Sequence, residues 1–155
     1  MSATRSNQKA DVRVVIDTNI FVRALACLEP ESSFYTNAIR TCWKLVVSEQ
    51  ITAQYQSVIH EYGYRADVVI HEMSKLHSMN KYRESSADPS VVGDDLAPRK
   101  DRHIVAPCVE RKANVIVTHD GGILDMKGQI KDATGAEVLS LHEARARLGT
   151  PKMGG

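Results

Sequence analysis

Apolar and polar positions fall into blocks whose length and period separate strands from helices. Val14-Val15-Ile16 is apolar at every position and ends in Asp17, as expected of a short strand buried on both faces. From Ile20 to Leu28 the spacing is helical, and Pro30 sets the limit of that helix. Ser32 or Ser33 is the expected cap of a second helix through about Trp43. The apolar run Lys44 to Val47 follows as a second strand. Ser48 then caps a long helix carrying Ile51, Tyr55, Val58, Ile59 and Tyr62, with Gly63 as its terminator. A further helix is expected from Asp67 to Tyr82, built on Val69, Ile70, Met73 and Leu76. Glu84 to Lys100 is polar, holds Pro89, Gly93 and Pro98, and reads mainly as loop. Asp101 opens a helix to Lys112, strands follow at 114–118 and Ala136 to Leu139, and a last helix covers Leu141 to Leu148. Strands alternating with helices predict an α/β protein whose parallel sheet is covered on both faces, a three-layer α/β/α sandwich. No repeat or dividing linker interrupts the pattern, so residues 12–148 are expected to form one domain, with flexible termini at 1–11 and 149–155.

Composition narrows the function classes. A chain of 155 residues has room for one substantial core. A formal net charge of +1 makes no electrostatic case for a basic nucleic-acid groove, and aromatic residues at 5% argue against a base-stacking platform. The odd set Cys27, Cys42 and Cys108 lies in apolar, helix-like stretches and reads as reduced, packed thiols. No apolar run approaches the roughly 18 residues of a membrane span, and the polar start lacks the apolar segment of a secretion signal. A cytoplasmic protein is the expectation.

Chemistry is then sought where strands pass into helices. Asp17 follows the first strand directly, Asn19 stands two residues on, and a second buried strand delivers Thr118 and Asp120 to the same kind of junction. Asp101 opens the helix before that second strand. Each has an ordinary structural explanation. Asp17 can cap its helix, Asp120-Gly121 is a turn dipeptide, and Asp101 is a favourable charge in a first turn. Together, however, they place three carboxylates at junctions expected on one sheet edge, where α/β folds bind their ligands. Such a group repels itself unless a cation or a raised pKa relieves it. Oxygen donors without accompanying His or Cys suit Mg²⁺ or Mn²⁺, ions that favour phosphate substrates.

Four blocks in this order resemble the PIN-domain nucleases, particularly the small stand-alone forms that act as toxins of toxin–antitoxin pairs. They are Val14-Val-Ile-Asp-Thr-Asn-Ile-Phe-Val22, Leu45-Val-Val-Ser-Glu-Gln-Ile51, Asp101-Arg-His-Ile-Val-Ala106 and Val115-Ile-Val-Thr-His-Asp120. The resemblance implies a parallel α/β/α sandwich that hydrolyses RNA phosphodiesters with Mg²⁺ or Mn²⁺. Asp17, Asp101 and Asp120 would be the metal carboxylates, with Thr118 and Asn19 as polar supports. It also implies an antitoxin partner inserting a segment into the acidic cleft, and homodimerisation.

One position departs from the family pattern. A glutamate is usual on the helix after the second strand, and here the matching residue is Gln54. Glutamine keeps a carbonyl ligand but loses the charge and cannot act as a general base. Glu49 and Glu61 are poorly placed on the helix to replace it, and Asp125, just past Asp120, is the better substitute on sequence. The alternative reading is therefore a degenerate domain that binds RNA or protein with weak or no cleavage. A receiver-type phosphoryl-transfer domain around Asp17 is more distant, since paired acids near the first strand are lacking. His60-Glu61 and His71-Glu72 open like zinc-protease helices, but Tyr64 and Lys75 occupy the second histidine positions. Arg99, Lys100, Arg102, Arg111 and Lys112, with Arg23 and His119, are candidates for phosphate contacts.

Overall fold

The computed structural model of the protein describes residues 11–149. The termini expected to be flexible therefore lie, apart from Asp11 and Gly149, outside the described residues. The elements run β1 (Arg13–Ile16), α1 (Thr18–Leu25), α2 (Glu31–Arg40), β2 (Lys44–Ser48), α3 (Glu49–Ile59), α4 (Asp67–Ser78), β3 (Tyr82–Ser85), α5 (Arg102–Val109), β4 (Val115–Val117), α6 (Gly121–Leu124), α7 (Lys127–Thr134), β5 (Glu137–Leu139) and α8 (Leu141–Leu148). All five strands are parallel, in the order β3-β2-β1-β4-β5. α1 packs on α2 and α3, α3 on α4, and α2 on α8, while α5 packs on α7 and on the sheet. This is the expected three-layer α/β/α sandwich.

The strand order explains where a site belongs. The chain builds outward from β1 through β2 to β3, then returns to pair β4 on the other flank of β1, with Val15 opposite Ile116. The carboxyl ends of β1 and β4 thus border the point where the winding reverses, the usual ligand crevice of an open α/β sheet. Both strands are apolar throughout because both faces are covered; Val15 and Ile116 are fully buried. Tyr55 ties α3 to this point, its ring stacked on Phe21 at 4.0 Å and its hydroxyl donating to the Ile16 carbonyl at 2.5 Å.

Several local expectations are corrected. α2 begins at Glu31, and the Ser33 backbone N–H and hydroxyl both turn to the Glu29 carboxylate, so neither Ser32 nor Ser33 caps it. The helix expected to reach Tyr82 stops at Ser78, and Tyr82 instead opens β3, whose last residues, Glu84 and Ser85, fall in the stretch read as loop. Ile70 on α4 is exposed. The turn expected at Asp120-Gly121 is instead the capped start of α6, and α7 follows it. Cys27 and Cys42 are exposed, and only Cys108 is packed, its thiol pushed up to about 12 by burial. Ser48 does cap α3, accepting from Ile51 N, and Gly63, at φ 85°, ends the 3₁₀ turn His60–Tyr62 that follows the helix.

Candidate active site

Asp17 sits where β1 ends, and both of its carboxylate oxygens are fixed. Oδ1 accepts from Thr18 N at 2.8 Å, capping α1, and Oδ2 accepts from the Thr118 hydroxyl at 2.5 Å. Thr118 is fully buried at the end of β4, and its oxygen also accepts from Asp120 N at 2.9 Å. One hydroxyl thereby sets the spacing of two acidic junctions. Asp120 caps α6 through Oδ1, which accepts from Gly122 N at 2.9 Å, and turns Oδ2 elsewhere. Capping thus accounts for one oxygen of Asp17 and one of Asp120, but leaves the acidic pattern unexplained.

Asp101 comes from the turn Arg99–Asp101 ahead of α5 and makes no capping hydrogen bond with its side chain. It is buried, yet it faces Asp120. The Lys100 ammonium lies 3.3 Å from Asp101 Oδ2 and 3.4 Å from Asp120 Oδ2. Gly122 fits between the two acids: a Cβ there would stand 3.4 Å from an oxygen of each. Burial, and then the Asp120 carboxylate beside it, push the Asp101 carboxyl up to about 6, against the pull of Lys100. Burial also acts to raise Asp120, but its hydrogen bonds to Asp101 and Gly122 and the Lys100 charge outweigh it and hold that carboxylate below its ordinary value.

Asp17, Lys100, Asp101 and Asp120 line one cleft of about 440 Å³, together with Asn19, Gln54, His103 and His119. The structure therefore gathers Asp17, Asp101 and Asp120, and Gln54, at one place. Thr118 orients Asp17 directly, whereas Asn19 lines the cleft without a side-chain bond to the acids. Among the described residues no three His, Cys, Asp or Glu side chains converge as tightly as an ion would hold them. The donor chemistry nevertheless fits a hard cation. Asp101 and Asp120 offer oxygen donors alone, and among the described residues the positive charge between them belongs to the exposed Lys100. Asp17, Asp101 and Asp120 are the residues that would hold it.

None of the acids considered as replacements for the missing glutamate reaches the cleft. Glu49 lines a separate, larger groove between α3, α4 and β3, of about 720 Å³. Glu61 and Asp125 are exposed and stand outside the cleft lining. The basic candidates are mostly engaged within the protein. Arg23 pairs with the buried Glu31 at 3.1 Å, and His119 lies 3.9 Å from the same carboxylate. Arg102 pairs with Asp94, and Arg111 donates to the Thr134 carbonyl. What sequence reasoning missed is Thr18 and His103: Thr18 Oγ1 donates to Gln54 Oε1 at 2.9 Å, and His103 Nε2 lies 2.5 Å from that atom. The only signal was their placement, each one or two residues past a candidate acid.

Comparison with known proteins places these residues in a family context. The family model of the PIN domain matches residues 13–121. No curated protein matches the chain. Among solved structures, the chain is similar to the PIN domain endonuclease Utp24 at 16% identity, covering 83% of this chain and 84% of that one, with a TM-score of 0.45.

Proposed function

This chain belongs to the PIN-domain family, and on that premise we propose that it is a Mg²⁺- or Mn²⁺-dependent endoribonuclease, the toxin component of a toxin–antitoxin pair. PIN domains are generally nucleases. The observation that most supports metal dependence here is the pair Asp101 and Asp120, whose carboxylates share one lysine ammonium between them. A divalent cation on Asp17, Asp101 and Asp120 would activate water and offset charge on the phosphoryl oxygens. The chain's own residues prepare the site for that role. Thr118 fixes the carboxylate plane of Asp17 and the backbone of Asp120 at once. Asp101 must give up its proton to serve, so cation binding weakens as pH falls through about 6. Lys100 must yield its place, after which its ammonium is free to meet a phosphate.

The decisive assay is cleavage of RNA in Mn²⁺ by the native chain, Asp17→Asn and Gln54→Glu. The nuclease reading expects native cleavage and its loss in Asp17→Asn. The second reading, an RNA- or protein-binding module with little cleavage, draws on Gln54, an uncharged side chain lining the cleft beside the acids. It expects native and Asp17→Asn to behave alike while Gln54→Glu gains activity. The toxin role rests on the resemblance alone, and an adjacent short reading frame encoding a DNA-binding protein would support it. Such an antitoxin would occupy the acidic cleft.

A further inference from the structure

Gln54 is held by its oxygen. An amide oxygen has two lone pairs, and Oε1 meets both the Thr18 hydroxyl at 2.9 Å and His103 Nε2 at 2.5 Å. A cation could take this oxygen only by breaking those contacts. The amide NH₂ makes no hydrogen bond to any described residue, and Gln54 is exposed along the cleft. Thr18 is the residue that follows Asp17, and His103 lies on the first turn of α5 past Asp101, so the amide is braced from both acidic junctions.

We propose that Gln54 is a substrate-contacting donor and not a cation ligand: its NH₂ hydrogen-bonds a non-bridging phosphate oxygen of RNA, while Thr18 and His103 are positioning residues that hold its oxygen away from the ion. This rests on the nuclease reading above. A cleft lined by three carboxylates repels an incoming phosphodiester, and a fixed neutral amide adds a charge-assisted hydrogen bond without adding negative charge. A glutamate at 54 would remove both N–H donors and set another anion against the phosphate. His103 matters through its Nε2–H: beside the Thr18 hydroxyl, a proton on Nε2 gives the amide oxygen its second donor.

Two measurements test this. Long-range ¹H–¹⁵N NMR of the full chain at pH 8 is expected to show His103 as the Nε2–H tautomer. The Nδ1–H tautomer would mean that the amide is turned, with its oxygen toward the cleft, and would overturn the proposal. Calorimetric titration with Mn²⁺ alone, and with an RNA oligonucleotide in Ca²⁺, then separates the two roles. Gln54→Ala is expected to weaken RNA binding about fivefold to tenfold while leaving Mn²⁺ affinity unchanged. Gln54→Glu weakens RNA binding at least as much, and His103→Ala loses a comparable amount with no further loss when combined with Gln54→Ala. Weaker Mn²⁺ binding by Gln54→Ala with RNA affinity intact, or tighter RNA binding by Gln54→Glu, overturns it. Failure of the underlying reading looks different: the native chain then binds no Mn²⁺ that Asp17→Asn abolishes, and the proposal falls with it.

Discussion

Lys100 is the residue through which the metal-free cleft can be probed. Its ammonium bridges two carboxylates, and hydrogen bonding and charge from Asp101, then from Asp120, raise its pKa, so it stays charged across the working range. Replacing it by methionine removes a competing cation without touching the acids. Lys100→Met is expected to tighten Mn²⁺ binding several-fold by calorimetry, and unchanged or weaker binding would deny that it competes. Asp101 carries the matching stability effect. Its folded pKa of about 6 lies above the ordinary 3.8, so the folded state binds the proton more tightly than the unfolded chain. Ionised Asp101 therefore destabilises the metal-free fold at neutral pH, and that cost is relieved as pH falls through about 6. Discounted for screening by solvent and Lys100, Asp101→Asn should stabilise the metal-free protein by about 1–2 kcal/mol at pH 7.5, fading by pH 4. Thermal melts in chelator across that range would show it, and a gain that grows toward acid would contradict the sign.

At the scale of elements, β3 shows how an unpromising segment becomes a strand. Tyr82 and Arg83 are half-buried, Glu84 is exposed and only Ser85 is fully enclosed. What fixes its end is Glu110 at the close of α5, which accepts from Ser85 Oγ at 2.6 Å and from Ser86 Oγ at 3.2 Å. Glu110→Ala is expected to cost about 1–2 kcal/mol in denaturant unfolding and to speed amide exchange at 85–87 while β1 stays protected. Uniform loss of protection would instead place Glu110 in the global core. β1 and β4 were legible in the sequence because burial on two faces forces every position apolar. β3 was not, because an edge strand with an exposed face has no such constraint and its residues also suit a helix end. α7 was missed for a related reason: Ile130 and Thr134 are its only buried residues, too few to set a period. The acids of the site were legible because each marks the end of an apolar strand or the start of a helix. The pairing of Gln54 with His103 was not, since it joins residues 49 positions apart through tertiary packing alone.

For the whole molecule, a formal charge of +1 gives little long-range attraction for RNA, and the cleft itself carries three carboxylates. Divalent cation is thus expected to control both fold stability and RNA binding. Saturating Mn²⁺ at about 100 times its Kd adds roughly 2.7 kcal/mol, which for a domain of this size raises Tm by about 5–10 °C. Asp17→Asn should abolish the shift, and an equal shift in that variant would place the ion elsewhere. The hydrogen bond from Thr118 to Asp17 spans 101 positions of sequence. That span has a consequence for the order of assembly. Asp17 Oδ1 is capped locally by Thr18 N, but Oδ2 meets the Thr118 hydroxyl only once β4 has paired with β1. The pairing of these two strands, and not any local turn, brings the acidic junctions together, so the cleft assembles no earlier than the centre of the sheet.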